Sequence, residues 1–494
     1  MIQLLLFSAV LGILVLYVWN NHRKPLNYPP GPARWPLIGT FALSPLSSQR
    51  ENHRVKAAKM VEKYGRTIGM YLGNTPVIYL HDPLFTRKLF SMEVFSGRFS
   101  TPAQRQFLSP NGKDVMYGIL RTDGKTWHGQ RRFSLKTLKD LGFGRTSSES
   151  IIQEEASLLI DFLIEKSGNG DFLFQSTMNV PVINVLWRMV ASKRFQMDDL
   201  KAEEIMLALT QQFGSSSSFR RLVSMLPIGK YLPRSEGFKR FEWLKENLFS
   251  MFRESIKEHK ETLDTAAPRD FIDHYIMEIG KMKDDDFSED QLIGIIFDLF
   301  LAGAETTSTT MKWAVMLMIL NPRVQQRCRQ EIEECVGSRQ PGLADMEKLV
   351  YCMATILEIQ RVGCTVPSSL QHRVLEDTTV DGLFFPKNSL LLANIYYMSK
   401  SAAFWSDPHM FNPDRFIKDG KVQKDLPQMM PFSVGRRVCM GDSLAKNELS
   451  IFFTSMIQRL RFSTPINGKE PSQENVRTGI TTIPDDYWVH IQQF

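Results

Sequence analysis

The chain has 494 residues; 43% are hydrophobic, 23% are charged, 30 are Gly and 25 are Pro. This composition is typical of a folded globular protein and excludes a disordered, collagen-like or low-complexity chain. The formal net charge of +7 is spread over 60 basic and 53 acidic residues without a dense Lys/Arg block, so it does not indicate nucleic-acid binding. The five cysteines lie in the last third without a CxxC pair, which argues against a disulfide framework or zinc site and favours a reducing compartment.

Residues 1–20 are predicted to form a transmembrane anchor. The segment Ile2–Trp19 contains no charged residue, and at ~1.5 Å per residue it spans ~27 Å, close to the hydrocarbon thickness of a bilayer. His22, Arg23 and Lys24 follow directly, which predicts that the body of the protein faces the cytosol. A cleaved signal peptide is the competing interpretation, but it needs a basic start and a small-residue cleavage site, and neither is visible.

Residues 21–40 are predicted to be a basic, proline-rich hinge, and residues 41–494 a single folded body. The hinge contains Pro29-Pro30-Gly31-Pro32, followed by Pro36 and Gly39. Proline fixes φ and lacks an amide donor, so this stretch favours a stiff, non-helical spacer.

The body is predicted to be mainly α, an α+β protein with a small sheet near its start. The alternating residues of 67–80 around Gly73-Asn74 indicate a β-hairpin. Helical periodicity dominates afterwards; examples are Ile151–Glu165, Leu200–Phe213, Phe238–His259 and a helix from Glu331 through Cys335 onward. An apolar patch at Leu226–Leu232 is either a buried loop or a second membrane-contacting surface.

The longest predicted helix runs from Ser288 to Leu320. Ser288 and Gln291 have the spacing of a capping box, and Asn321-Pro322 ends the run. The helix is apolar nearly all round, so it is expected to cross the middle of the protein.

A loop near the C-terminus, Pro431–Gly441, contains a cysteine in an unusual setting. Gly435 and Gly441 flank Cys439, so a flat group can approach the backbone closely. Arg436 and Arg437 precede the thiol, and a predicted helix opens at Asp442; cations and a helix N-terminus favour a thiolate. A soft thiolate among exposed backbone amides suits an iron ligand.

This loop resembles the haem-binding loop of the cytochrome P450 monooxygenases. The pattern F-x-x-G-x-R-x-C-x-G is met in full by Phe432, Gly435, Arg437, Cys439 and Gly441. The resemblance implies haem b with Cys439 as the axial ligand of the iron, in a catalytic haem domain over 41–494 with the cytochrome P450 fold.

Within the long helix lies Ala302-Gly303-Ala304-Glu305-Thr306-Thr307. Ala302 and Gly303 leave space over a flat cofactor, and a mid-helix Thr306 can bond back to the Ala302 carbonyl and open a groove. A Glu in an apolar helix is costly, which favours a function for Glu305. In the family this run is the oxygen-activation site, with Thr306 and Glu305 as the catalytic, proton-delivering pair.

Other matches imply structural and propionate-binding roles. Glu358 and Arg361 match the family's E-x-x-R motif, and Arg415 matches its third member, in a network that supports the cysteine loop. Residues that match the family's partners of the haem propionates are Trp127, Arg131, Arg98, His372 and Arg437. Gln371 precedes His372 where many relatives carry proline.

The resemblance further implies a microsomal enzyme of the endoplasmic reticulum membrane. The run from Gln130 to Gly144 looks like the subgroup of drug-metabolising and insect hormone-metabolising members. Electrons would come from NADPH–cytochrome P450 reductase, with cytochrome b5 as a possible second donor, and the substrate would be a hydrophobic small molecule. Candidate reductase contacts are Arg132, Lys136, Lys139, Arg436 and Lys446; candidate pocket residues are Phe297, Leu301, Ala302, Val366, Leu370 and Ile480.

Two alternative functions remain open from the sequence. One is an oxygen-independent haem-thiolate isomerase or dehydratase, against which the Glu305-Thr306 pair counts. The other is a membrane-anchored haem-binding sensor, which would need no proton-delivery groups. The chemical identity of the substrate also stays open, because pocket shape rather than fold sets specificity.

Overall fold

The structure is a computed structural model that describes residues 23–35, 39–40, 50–145, 148–168, 170–174, 177–214, 236–281, 286–466 and 468–494, with Gly12 and Val15 near the N-terminus. The predicted anchor at 1–20 lies almost entirely outside the described residues. The predicted apolar patch at Leu226–Leu232 lies outside them as well.

Helices dominate the described part of the chain, as predicted. In chain order they are α1 (Arg50–Tyr64), α2 (Pro83–Ser91), α3 (Pro102–Leu108), α4 (Gly124–Asp140), α5 (Glu149–Ser167), α6 (Asn179–Ala191), α7 (Leu200–Gly214), α8 (Glu236–Thr262), α9 (Phe271–Lys281), α10 (Glu289–Leu320), α11 (Pro322–Cys335), α12 (Val350–Gly363), α13 (Ile395–Lys400) and α14 (Asp442–Arg459). Short 3-10 turns occur at Glu93–Phe95, Leu343–Asp345, Pro413–Phe416 and Gly435–Arg437.

The strands are short and form several small sheets. They are β1 (Thr67–Leu72), β2 (Thr75–Leu80), β3 (Gly97–Arg98), β4 (Phe172–Phe174), β5 (His372–Arg373), β6 (Thr378–Val380), β7 (Leu383–Phe385), β8 (Leu390–Ala393), β9 (Ile417–Lys418), β10 (Lys421–Val422), β11 (Leu460–Ser463), β12 (Val476–Thr478), β13 (Thr482–Pro484) and β14 (Tyr487–Gln493). The largest sheet has the order β1-β2-β8-β5-β3, and a second has the order β11-β14-β4.

The predicted hairpin is confirmed at β1 and β2, which pair antiparallel from Thr67 with Leu80 to Leu72 with Thr75. The described part of the predicted hinge packs against this hairpin and is non-helical. The Tyr28 hydroxyl donates to the Met70 carbonyl at 2.9 Å, and the Gly69 amide donates to the Pro30 carbonyl at 2.8 Å. The proline-rich segment is therefore held on the folded body rather than free in solvent.

Helix α10 crosses the middle of the protein. Its N-cap is Ser288, whose hydroxyl accepts the Gln291 amide at 3.2 Å, and Asn321 ends it before Pro322 starts α11. It packs against α6, α7, α12 and α14. Within the described residues it is the one helix long and apolar enough to cross a membrane, and most of it is buried inside the protein, as expected for a core helix.

One helix prediction was wrong in its bounds. A helix was expected from Glu331 through Cys335 and onward, but α11 begins at Pro322 and ends at Cys335. Proline is well tolerated at the first helical position. The amide of the capping residue Val336 donates to the Ile332 carbonyl, and Gly337 takes a positive φ of 73° directly after it, which ends the helix.

Candidate functional site

Cys439 lies between the 3-10 turn Gly435–Arg437 and the start of α14. Its amide donates to the Phe432 carbonyl at 3.0 Å, which closes the loop. The Cys439 side chain is exposed, although protein surrounds the loop, so the thiol borders an open space. The loop thus leaves the sulfur atom accessible rather than packed in the core.

The thiol is held in its protonated form in the absence of a metal. Although its surface is accessible, the protein around the loop desolvates the Cys439 thiol and raises its pKa, and the charge of Asp442 adds to this effect. The Gly441 amide, Arg131 and Lys446 oppose it. A metal ion bound to the sulfur would reverse this balance, because coordination deprotonates a thiol.

The expectation that Arg436 and Arg437 favour the thiolate was wrong. The Arg436 guanidinium forms an ion pair with Glu93 at 2.8 Å. The Arg437 guanidinium turns to the carbonyls of Ser96 and Thr122, both at 2.7 Å. Neighbours in sequence point to different sides of the loop, so the cations that act on the sulfur come from α4 and α14 instead.

One glycine of the motif has a structural requirement. Gly435 has φ +76°, and a Cβ there would lie 2.1 Å from the Phe90 carbonyl oxygen, so no other residue fits. A Cβ on Gly441 would lie 3.8 Å from Phe143 Cζ and 4.0 Å from the Cys439 sulfur, which is ordinary contact, so packing does not require glycine at this position. The Phe90 ring in turn stacks on His372 with centroids 3.7 Å apart. Phe432 is half-buried, with Lys446 Nζ 5.2 Å from its ring centroid.

Three arginines predicted from the sequence come together, each fixed by backbone carbonyls. Arg437 is buried, and its Nη1 donates to the Ile119 carbonyl at 3.4 Å. Arg98 donates to the carbonyls of Leu120 at 3.1 Å and Gln371 at 3.0 Å. Arg131 donates to the Val438 carbonyl at 2.8 Å, beside Cys439.

These cations repel one another. Burial first, and then the charges of Arg98 and Arg131, lower the pKa of Arg437 to about 8. Burial and the charge of Arg131 lower the pKa of Arg98 to about 10. Asp123 partly offsets both charges, but it is also paired with Arg373 at 2.5 Å. The cluster therefore carries a surplus of buried positive charge.

Trp127 and His372 border the same cluster. The Arg437 guanidinium lies over the Trp127 ring, 3.7 Å from its centroid. Trp127 Nε1 is buried, and no described residue accepts its hydrogen. His372 Nδ1 is 2.8 Å from the Phe95 carbonyl oxygen, and burial together with Arg98 lowers its pKa.

These observations test whether the residues fit haem. An orphaned indole N–H and surplus buried cations would be costly without an anion, and the two carboxylates of haem supply one. An exposed thiol on the adjoining loop supplies a soft ligand for iron. The donor set fits haem.

The turn Ala302–Thr306 of α10 has the predicted shape. The Thr306 hydroxyl donates to the Ala302 carbonyl at 2.9 Å. Ala302 is exposed in the middle of a helix whose other central residues are mostly buried, so this turn borders an open space. Because Thr306 occupies the Ala302 carbonyl, a groove is available there.

Glu305 points to a different side of α10. It is completely buried, and its carboxylate accepts hydrogen bonds from Thr210 at 2.7 Å and Thr309 at 2.9 Å. Burial raises its pKa to about 7, although Lys312 and the two hydroxyls oppose the shift. The structure thus separates Glu305 from the groove at Ala302 while keeping it adjacent in the chain.

The E-x-x-R network forms as predicted. Glu358 accepts from Arg361 at 2.7 and 2.8 Å and from Arg415 at 3.1 Å. Glu358 and Arg361 are completely buried. Arg361 also donates to the carbonyls of Ser399, Pro408 and Met410. The network thus fixes the irregular segment that leads from α13 towards the cysteine loop.

The apolar pocket candidates divide into two groups. Leu370 and Ile480 are exposed, as is Ala302, and Val366 is half-buried. Phe297 and Leu301 instead belong to the main core cluster. Their apolar character was compatible with either place, and only packing decides between them.

Sequence reasoning missed Asp298, Asp123 and Thr210. Asp298 is a carboxylate in the same apolar helix as Glu305, so the reasoning that singled out Glu305 applied to it as well. Asp123 and Thr210 had no sequence signal, because their partners are distant along the chain.

Comparisons with known proteins identify one family. A family model for cytochrome P450 matches residues 29–490. Cytochrome P450 2J3 of Rattus norvegicus is 36% identical over 98% of this chain and 94% of its own length. Cytochrome P450 2B4 of Oryctolagus cuniculus is 33% identical over 99% and 98% of the two chains. Farnesoate epoxidase of Bombyx mori is 31% identical over 94% of each.

Proposed function

This chain belongs to the cytochrome P450 family, and from that premise we propose which of its residues carry each part of the reaction. It is a haem-thiolate monooxygenase that hydroxylates or epoxidises an apolar small molecule. Bound haem supplies the activation of dioxygen with two electrons and the transfer of one oxygen atom. Microsomal relatives are endoplasmic reticulum membrane proteins that use NADPH–cytochrome P450 reductase and hydrophobic substrates.

Cys439 is the axial ligand of the iron. Its exposed thiol and its position before α14 support this assignment. The amide of Gly441 bonds to the sulfur, and such bonds temper the electron donation of a thiolate ligand. Phe432 and Gly435 give the loop its shape.

The propionates of the haem are held by five residues: Arg98, Arg131, Arg437, Trp127 and His372. The surplus positive charge and the orphaned Trp127 N–H support this role. Binding two carboxylates would offset the repulsion between the guanidinium groups. These residues therefore orient the cofactor as well as retain it.

Ala302 and Thr306 form the oxygen-side groove, and the Thr306 hydroxyl donates a proton there once it turns from the Ala302 carbonyl, to which its hydrogen bonds in this structure. Glu305 holds a proton at its carboxyl, since its pKa of about 7 leaves it partly protonated at neutral pH. Thr210 and Thr309 hold that carboxyl in place. Proton delivery by Glu305 then requires a side-chain rotation or water between it and Thr306.

The substrate pocket is apolar. The residues that present apolar surface to open space are Ala302, Leu370, Ile480 and the half-buried Val366. Such a surface suits a hydrophobic substrate. A relative named farnesoate epoxidase makes an apolar terpenoid one reasonable candidate, alongside steroids, fatty acids and foreign compounds.

The membrane arrangement that we propose is the one predicted from the sequence. Residues 1–20 anchor the protein, residues 21–40 form the hinge, and the catalytic domain over 41–494 faces the cytosol. Arg132, Lys136 and Lys139 are exposed on α4, where successive spacings of four and three residues put them on one face. This face is the docking surface for the reductase, and cytochrome b5 is a second candidate partner for it.

The observation that carries the proposal is the exposed Cys439 thiol beside an uncompensated buried arginine cluster. The test is the carbon monoxide spectrum of the reduced protein. Wild type should show the red-shifted Soret band of a thiolate ligand, and Cys439→Ala should lose it. Cys335→Ala, which alters a half-buried thiol outside the loop, should keep it. A band at the position of histidine-ligated haem in wild type would refute the assignment.

A further inference from the structure

Asp298 connects α10 to the loop that follows Gly118. It lies on α10, four residues before Ala302, and is almost fully buried. Its Oδ2 accepts the amides of Ile119 at 2.7 Å and Leu120 at 2.8 Å. Arg121 Nη1 lies 3.6 Å from the other carboxylate oxygen. Burial raises the pKa of Asp298, and Arg121 and the two amides oppose that shift.

The carbonyls of the same loop hold the arginine cluster. Ile119 accepts from Arg437 at 3.4 Å, and Thr122 accepts from Arg437 at 2.7 Å. Leu120 accepts from Arg98 at 3.1 Å. The loop therefore uses its amides toward α10 and its carbonyls toward the two guanidinium groups.

The loop packs so closely on α10 that a shift of one would move the other. Gly118 has φ +91°, and a Cβ there would lie 2.2 Å from Asp298 Oδ2. A Cβ on Gly294 would lie 2.7 Å from the Gly118 amide nitrogen. Two turns before Asp298, the Gln291 side chain donates to the Gly118 carbonyl at 3.0 Å. The helix backbone is thus in direct contact with the loop backbone at Gly294 and Gly118, and the side chains of Gln291 and Asp298 hold the loop on either side of that point.

We propose that Asp298 is a positioning residue for the haem. Through the backbone of residues 119–122 it fixes Arg98 and Arg437, and thereby the propionates, relative to the oxygen-side groove at Ala302–Thr306. The inference rests on the proposed function, in which these two arginines bind the propionates.

The reduction potential of the iron distinguishes a positioning role of Asp298 from the simple loss of its charge, because the two effects shift the potential in opposite directions. Removing a carboxylate near the cofactor makes its surroundings more positive and raises the reduction potential of the iron. Releasing Arg98 and Arg437 from the propionates makes them less positive and lowers it. A residue that only stabilises the fold would have no reason to produce the second effect while the haem stays bound.

The experiment uses purified full-length holoprotein with Asp298→Ala, Asp298→Asn and Asp290→Asn. Asp290 is the matched control, because it lies on the same helix and bonds to the Asn111 side chain rather than to the loop backbone. The measurements are haem transfer to excess apomyoglobin, hydrogen exchange of residues 118–122 and the midpoint potential of the iron. The carbon monoxide spectrum checks thiolate ligation in every variant.

Asp298→Ala should speed haem transfer and hydrogen exchange by about tenfold, which corresponds to about 1.4 kcal/mol, and should lower the midpoint potential. Asp298→Asn keeps an acceptor oxygen, so it should restore most of both rates. If Asp298→Ala yields no holoprotein, Asp298→Asn carries the comparison through smaller increases in both rates; its midpoint potential should rise, because the carboxylate charge is lost while the loop stays held. Asp290→Asn should leave both rates unchanged.

Faster exchange with unchanged haem transfer and potential would overturn the proposal and leave Asp298 as a loop anchor only. Unchanged exchange would also overturn it. Failure of the proposed function is distinguishable, because it would appear as loss of the thiolate spectrum in the wild-type protein.

Discussion

The Thr210 hydroxyl on α7 donates a 2.7 Å hydrogen bond to the carboxylate of Glu305 on α10. This bond links a buried acid of the central helix to the last turn but one of α7. Thr309 donates to the other carboxylate oxygen, so the carboxyl is held on both sides. The two hydroxyls therefore fix a titratable carboxyl on the residue that directly precedes Thr306.

Glu305 should make stability depend on pH. Its pKa rises from 4.5 to about 7 in the folded chain, so between these values the folded protein holds a proton that the unfolded chain has lost. The free energy of unfolding therefore falls as pH rises through this window, by about 3 kcal/mol in total. Glu305→Gln should remove this dependence in urea unfolding of the holoprotein between pH 4.5 and pH 7.5.

Glu203→Gln provides the control for Glu305, since Glu203 is exposed on α7. Its variant should keep the wild-type pH slope. Equal slopes for wild type and Glu305→Gln would contradict the raised pKa.

Thr306→Ala should keep haem but impair proton delivery. Loss of this proton donor should reduce the rate of product formation by about 10²-fold, which is the smallest effect in the usual range for general acid–base groups. The electrons should instead reduce dioxygen to hydrogen peroxide, so the ratio of product formed to NADPH consumed should fall. Thr310→Ala is the control, because Thr310 makes the same type of bond to the Thr306 carbonyl one turn later. Equal coupling in Thr306→Ala and wild type would count against the role.

Gly435→Ala should prevent a normal cysteine loop. The new Cβ would meet the Phe90 carbonyl oxygen at 2.1 Å in addition to the strain of φ +76°. Gly382→Ala is matched in backbone strain, with φ +78° and open space around the Cβ, and should cost only about 1–3 kcal/mol. The measurement is the haem content per polypeptide together with the unfolding midpoint. Similar values for the two variants would show that the Phe90 contact is unimportant.

Glu358→Ala should destabilise the protein by about 3–5 kcal/mol, because it leaves two arginines of a buried network without their carboxylate. Glu333→Ala removes a comparable ion pair, to Arg329 at 2.8 Å, from a surface position, and should cost at most about 1 kcal/mol. Urea unfolding of the two variants measures the difference. A cost for Glu358→Ala no larger than for Glu333→Ala would mean that the network does not support the fold.

Short sequence patterns were sufficient to predict those secondary-structure elements whose ends are set by interactions between near neighbours in the chain. The hairpin at Gly73-Asn74 and the limits of α10 followed from turn, cap and proline signals, and the Thr306–Ala302 bond followed from helix geometry. The extent of α11 was missed although Val324, Cys328 and Ile332 recur at four-residue spacing, the period of one helix face. These few apolar residues in a polar segment form the face that packs against α12 and α14.

The amino-acid sequence by itself determined the chemical class of this protein. The cysteine ligand, its neighbouring glycines and the central Thr lie in short contiguous motifs, so their spacing can be read directly from the sequence. Tertiary structure alone decided where the charges act. Arg436 and Arg437 turn away from the sulfur, Glu305 turns toward α7, and Asp298 reaches a loop about 180 residues earlier in the chain. Electrostatic and hydrogen-bonding partners depend on distance in space, and side-chain direction is fixed by packing between segments that the order of residues does not reveal.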